Sequence, residues 1–391
     1  MGSKPARDIP DGKIAVWLDC DPGHDIDLLI AQDAFALLLI AQHPRLHALG
    51  VSTTHGNAPL CLTTSNALSL LTAFRSDHIP VHPGASKPLN RPSICANEIH
   101  GKSGIDGTDL LPEPKCCASS TPALFSMARA LLNTPRGSAW IVCTGALTNL
   151  ALLLRTYPQV ATWVAGVSIM GGAIGDGFTN APMGELNNVP RCGNITFWAE
   201  FNIIADPEAA QEVLNWPTLR GKITLIPLDL THLVIATESV MNELFWGKNT
   251  EGKSDHQNIV CRATNKLRQM MVELLTFFAD TYAGVYGLKA GPPLHDPVAV
   301  AVLLSDEVPF NYGKHAKTNQ NDSSSTCEDE QFEITVITKG SFADAKARAQ
   351  TGRTLVRSLP PGEKGVRIPR GIDVDAFWMV IQNCLKRVEE M

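Results

Sequence analysis

Aromatic residues make up only 6% of this 391-residue chain and charged residues only 18%, and no stretch stays apolar for long. The longest unbroken apolar run, Ala34 to Ala41, has eight residues. A hydrocarbon core roughly 30 Å thick needs far more, so no membrane span is expected. Lys and Arg form no run, and 33 of them face 39 Asp and Glu for a formal net charge of −6. Nucleic acid and anionic membrane surfaces select a basic footprint, which is missing. Met1 to Gly12 lacks the apolar segment of a secretion signal, and Ala6 stands where a myristoylation motif wants Ser or Thr. The ten cysteines are far too sparse for a disulfide scaffold, and neither a C-x-x-C pair nor a zinc-spaced His/Cys cluster occurs. These absences exclude several classes and leave an expectation: a cytoplasmic globular protein that takes a small, neutral ligand.

What is present is alternation. Apolar runs of strand length at Ile14 to Leu18, Ala48 to Thr53, Ala139 to Cys143, Gly166 to Met170 and Ile223 to Pro227 are separated by helical patterns. The helical patterns lie at Thr63 to Phe74, Pro122 to Asn133, Asn149 to Thr156 and Pro207 to Leu214. That order predicts an α/β fold, one open and mostly parallel sheet with helices on both faces, over residues 13–391 behind a solvated tail at 1–12. A polar surface loop is expected at about 311–331, and a Gly- and Asn-rich loop from Gly171 to Asn194. In such sheets ligands sit at the carboxyl ends of the strands.

The strongest local feature ends the first strand: Val16-Trp17-Leu18-Asp19-Cys20-Asp21-Pro22-Gly23-His24-Asp25. Carboxylates at 19, 21 and 25 repel one another unless something positive lies among them. Oxygen donors without thiolates select a hard divalent ion, Ca²⁺ or Mg²⁺. A solvated acidic turn capping a helix is the plainer alternative.

The run D-C-D-P-G-H-D, followed downstream by D-A-F-A-L, resembles the aspartate-rich signature of the inosine/uridine-preferring nucleoside hydrolases. Further blocks agree in order: T-T-H-G-N at 53–57, H-G-K-S-G-I-D-G at 100–107, T-G-A-L-T-N at 144–149, M-G-G at 170–172, A-E-F-N-I-I-A-D-P-E-A-A at 199–210 and P-L-H-D-P at 293–297. The resemblance implies Ca²⁺-dependent hydrolysis of the N-glycosidic bond of ribonucleosides, uridine foremost, to free base and ribose, by a homodimer or homotetramer. It further implies that Asp21 holds the metal and acts as general base, with Asp33, Asp296 and the carbonyl of Thr144 as the other metal ligands and Asp19 behind them. Asp25, Asn57, Met170, Asn194, Glu200 and Asn202 are similar to the family's sugar contacts, and His295 to the histidine facing the leaving base. His100, Tyr282 and Tyr286 are further candidates near the base.

One departure stands out. The family's D-P-G-x-D-D-A is interrupted, because Ile26 to Gln32 separate Asp25 from Asp33. On a helix begun at Asp25, seven extra residues displace Asp33 by about 10 Å along the axis. Either the seven residues bulge out so that Asp33 still reaches the metal, or Asp27 substitutes for it. Weaker metal binding or activity than in an uninterrupted relative is expected. Two rivals follow: a nucleoside-binding relative with impaired turnover, and, more distantly, a D-x-D phosphatase using Asp19 as nucleophile.

Overall fold

The computed structural model describes residues 9–23, 30–94, 108–186, 189–247, 265–313 and 330–391. Nine strands form its main sheet: β1 (Ile14–Cys20), β2 (Leu46–Thr53), β3 (Val81–Pro83), β4 (Ala139–Cys143), β5 (Gly166–Met170), β6 (Ile223–Ile226), β7 (Gln331–Val336), β8 (Thr354–Ser358) and β9 (Val366–Arg367). Their order is β8-β7-β9-β6-β5-β4-β1-β2-β3. Six strands run parallel from β3 to β6, β9 continues them, and β7 lies antiparallel to both its neighbours. The expected open, mostly parallel α/β sheet is therefore the observed one. All five expected strands are present, with β1 and β2 two residues longer, while β3, β7, β8 and β9 had no counterpart in the sequence reading.

The helices used below are α1 (Ile30–Gln42), α2 (Leu60–Ala73), α3 (Ala123–Leu132), α4 (Thr148–Thr156), α5 (Phe201–Ala205), α6 (Pro207–Leu214), α7 (Leu228–Thr231), α8 (Lys266–Tyr286), α9 (Asp296–Ala301) and α10 (Val374–Glu390). Strand periodicity divides the core into two layers. Val16, Leu18 and Cys20 of β1 face α1, α2, α8, α9 and α10, whereas Ala15 and Trp17 face α3, α4 and α6. Asp19 shares the parity of Ala15 and Trp17, which turns its carboxyl toward α4. No helix among the described residues is long and apolar enough to cross a membrane.

The chain lays β2 and β3 to one side of β1, then returns to lay β4, β5 and β6 on the other. The crevice between the carboxyl ends of β1 and β4 is the point where strand order reverses, the usual place for a ligand in this architecture. The expected polar loop at 311–331 begins on a two-residue strand, Phe310–Asn311, and ends on the first residue of β7; residues 314–329 lie outside the described part.

Candidate active site

Register brings the site together. Asp19 pairs with Ser52 on β2 and Cys143 on β4, so the residues just beyond the three strands, Asp21, Thr54 and Thr144, emerge side by side. The Asp21 carboxylate accepts from the backbone N–H of Asn57 (3.0 Å) and from Asn57 Nδ2 (3.3 Å). Two glycines make room for it: a Cβ on Gly56 would lie 1.8 Å from Asp21 Oδ2, and one on Gly145 would lie 2.7 Å from Oδ1. Gly56 also has φ +155°, where side chains are strained. Gly56→Ala is accordingly expected to cost about 1–3 kcal/mol of stability, measurable as a lowered denaturant midpoint.

Asp33 lies in the first turn of α1, which begins at Ile30. Its Oδ1 accepts from Thr144 Oγ1 (2.9 Å), and the backbone N–H of Asp21 also donates to its carboxylate. Asp33 therefore lies beside Asp21 despite the seven intervening residues, and the separation of about 10 Å reckoned for a helix begun at Asp25 is not seen between them. Asp19 Oδ1 accepts from Ser52 Oγ (2.5 Å) and Asn149 Nδ2 (2.8 Å). Asn149 also donates to Thr53 O and accepts from the N–H of Ala85, tying the ends of β1, β2 and β3 together.

The other half comes from β5, α5 and α9. Glu200 caps α5, accepting from the N–H groups of Asn202 (2.9 Å), Ile203 (3.1 Å) and Gly172 (2.9 Å). Asn202 Nδ2 donates to Thr144 O (3.0 Å) and Met170 O (3.3 Å), so the carbonyl expected at a metal is shared with an amide. Asn194 Oδ1 accepts from the N–H of Phe201 (2.9 Å), bracing the same helix start. Asp296 is the first residue of α9 and is buried. His295 precedes it, with Nδ1 2.6 Å from Thr231 Oγ1 and its ring 5.4 Å from that of His232. Asp25, Asp27 and His100 lie outside the described residues, as do the side chains of Tyr282 and Tyr286.

Burial dominates the electrostatics. It pushes Asp19 and Glu200 up to about 7 against the hydrogen bonds each accepts. Burial also raises Asp21 and Asp296 well above the carboxylate range, and the neighbouring carboxylates, Asp33 foremost, raise them further. Burial lowers His295 well below the ordinary imidazole value, with His232 adding to the effect, and takes His232 to about 4. Four acceptor oxygens in this neighbourhood, Asp19 Oδ2, Asp33 Oδ2, Asn57 Oδ1 and Asn202 Oδ1, are buried without a hydrogen-bond partner. Orphans of that kind call for hydroxyl donors or a cation. Among the described residues, no three His, Cys, Asp or Glu side chains are grouped tightly enough to hold an ion by themselves. The donor chemistry suits a hard divalent cation; the carboxylates are gathered at one mouth and not closed around a point.

A mostly parallel sheet with acceptor oxygens massed at its switch point is suited to a ligand rich in hydroxyl donors. The chain belongs to the inosine-uridine preferring nucleoside hydrolase family, which it matches over residues 16–379. It is 35% identical to a uridine nucleosidase of Saccharomyces cerevisiae over 97% of this chain and 98% of that one. It is 37% identical to a pyrimidine-specific ribonucleoside hydrolase of Shewanella baltica over 75% of this chain and 78% of that one. The purine-preferring ribonucleoside hydrolase from Gardnerella vaginalis shares the fold, with a TM-score of 0.70 at 21% identity, covering 96% of this chain and all of the other.

The sequence reading missed Gly56, Gly145, Asn149 and Gln32. The two glycines and Asn149 lie inside blocks it had singled out for other residues.

Proposed function

We propose that this chain hydrolyses the N-glycosidic bond of ribonucleosides with Ca²⁺ as cofactor, and that uridine is its leading substrate. The observation that carries the reading is the set of buried, unpartnered acceptor oxygens beside Asp21, Asp33 and Asp296 in a chain of this family. The names of the yeast and Shewanella relatives support a pyrimidine nucleoside.

In this reading Asp21, Asp33, Asp296 and the carbonyl of Thr144 hold the ion, with Asp19 behind them. When bound, it offsets the crowded negative charge and lowers the pKa of water in its shell. Asp21 Oδ takes the proton of the attacking water as the C1′–N bond breaks. The transition state is oxocarbenium-like, so carboxylates near the sugar stabilise it. Asn57 Oδ1, Asn202 Oδ1 and Glu200 accept from ribose hydroxyls, with Asn194 and Met170 on the sugar side. Asp25 belongs to the same set by motif. His295, kept neutral by burial, presents Nε2 to the leaving base while Thr231 engages Nδ1.

The test is product analysis with uridine, cytidine, inosine and adenosine at saturating Ca²⁺, looking for free base and ribose. Because orphaned acceptors penalise a missing hydroxyl, kcat/KM for 2′-deoxyuridine is expected to fall about 10³-fold or more below that for uridine. Comparable turnover of the two refutes the assignment of the ribose contacts. Assembly as a homodimer or homotetramer in the cytosol completes the reading; light scattering on the purified chain checks the oligomer.

A further inference from the structure

The family signature sets two acids side by side, but the residue beside Asp33 in this chain is Gln32. Gln32 lies in the first turn of α1 and is 0% exposed. Both ends of its carboxamide are engaged: Nε2 donates to Pro293 O (2.8 Å), and the backbone N–H of His295 donates to Oε1 (2.5 Å). Two hydrogen bonds from one planar group thus fasten α1 to the backbone just before Asp296, across 261 and 263 residues of sequence.

The opposite edge of that backbone is already secured. Leu294 N–H donates to Val234 O (2.8 Å), and Ala236 N–H donates to Pro292 O (2.9 Å). The segment 292–295 is therefore held like a short strand, with residues 234–236 on one side and the Gln32 side chain on the other. The residue after Gln32 is Asp33, and the residue after His295 is Asp296. Whatever fixes Gln32 against His295 fixes the two carboxylates against each other.

We infer that Gln32 is a positioning residue, which sets the spacing of Asp33 and Asp296 and the attitude of His295 through its paired hydrogen bonds to residues 293 and 295. A glutamate could accept from the His295 N–H, but its second oxygen would face the Pro293 carbonyl and add charge to the acid cluster. The amide, with a donor group at one end and an acceptor oxygen at the other, matches both partners. The inference rests on the proposed function only for the identity of the ion and substrate.

Gln32→Ala and the similarly sized Gln32→Met remove both hydrogen bonds, and Gln32→Met keeps most of the volume should the alanine variant fail to fold. Three measurements decide. In metal-free protein, amide hydrogen exchange at Leu294, His295 and Asp296, the residues of 292–297 that carry an N–H, is expected to quicken in either variant. Calcium dissociation constants from calorimetry are expected to rise about tenfold, the loss of about one net hydrogen bond. At saturating calcium, kcat for uridine is expected to fall about tenfold while KM moves less than about threefold, because Asn57, Glu200 and Asn202 lie on other elements. Unchanged exchange at residues 294–296, unchanged calcium affinity or a loss confined to KM overturns the inference. If the unmodified protein neither binds calcium nor releases uracil, the functional reading falls instead. The exchange experiment then decides for or against Gln32 by itself.

Discussion

Asp21→Asn is expected to lower kcat for uridine about 10³-fold or more and, in the same protein, to raise the melting temperature without metal. The first effect follows from the proposed role: an amide cannot take a proton from water, and positioned general bases contribute about 10²–10⁴. The second follows from the surroundings. Asp21 is fully buried, and Asp33, Asp19 and Glu200 all oppose its charge. Removing a charge held against desolvation and repulsion relieves the fold. The replacement also keeps its hydrogen bonds. The oxygen of the introduced amide can accept from the backbone N–H of Asn57, and its nitrogen can donate to Asn57 Oδ1, now without a partner, once the Asn57 amide turns over. Stability gained where activity is lost is the mark of a site that is strained for use. Kinetics and calorimetry on one preparation check both signs. A variant that loses activity and melts earlier would make Asp21 a structural residue.

The second large effect is the pH dependence of calcium stabilisation. Asp19 and Glu200 sit at about 7 in the folded protein, and Asp21, Asp33 and Asp296 are raised as well. Unfolded carboxyls titrate near about 4. Between about pH 4 and 7 the folded state therefore holds more protons than the unfolded one, and stability without metal falls as pH rises through that window. Calcium needs the ionised carboxylates, so its effect runs the other way. The rise in melting temperature on adding calcium is expected to be near zero at about pH 5 and much larger at about pH 8, above the point where Asp19, Asp33 and Glu200 ionise. A hundredfold excess over Kd would then supply about 2.7 kcal/mol. A chelator should return the pH 8 protein to its lower melting temperature. Calcium stabilisation of equal size at both pH values would mean that the ion binds elsewhere.

Local pattern revealed the centre of the sheet and not its far edge. β4 and β5 were legible to the residue because each is a short apolar run, largely buried and bounded by turn residues. β7 alternates, with buried Phe332, Ile334 and Val336 separated by exposed partners, and its three apolar residues adjoin a long polar stretch, which leaves no continuous apolar run. β8 is largely exposed and β9 has two residues, so neither carries a strand-length apolar signal.

Within the site, the acids were conspicuous because unpaired charge in an apolar setting needs a reason. The residues that hold them were not. Asn149 looks like any helix-start residue until β1, β2 and β3 end around it, and Gln32 belonged to a segment that read as an interruption. Helix geometry alone left Asp33 either beside Asp21 or two turns away; the hydrogen bonds it accepts from Thr144 and from the Asp21 N–H place it beside Asp21.

The acids of the site enter the chain at opposite ends of synthesis, Asp21 near the beginning and Asp296 some 275 residues later by the numbering. A nascent chain on the ribosome therefore carries β1 and its exposed acids long before α9 emerges to meet them. Such distant partners make for slow closure, since the loop between them must be ordered first. On the proposed reading, a polypeptide cut short ahead of residue 296 lacks one side of the ion site, and termination products of that length are expected to be inactive.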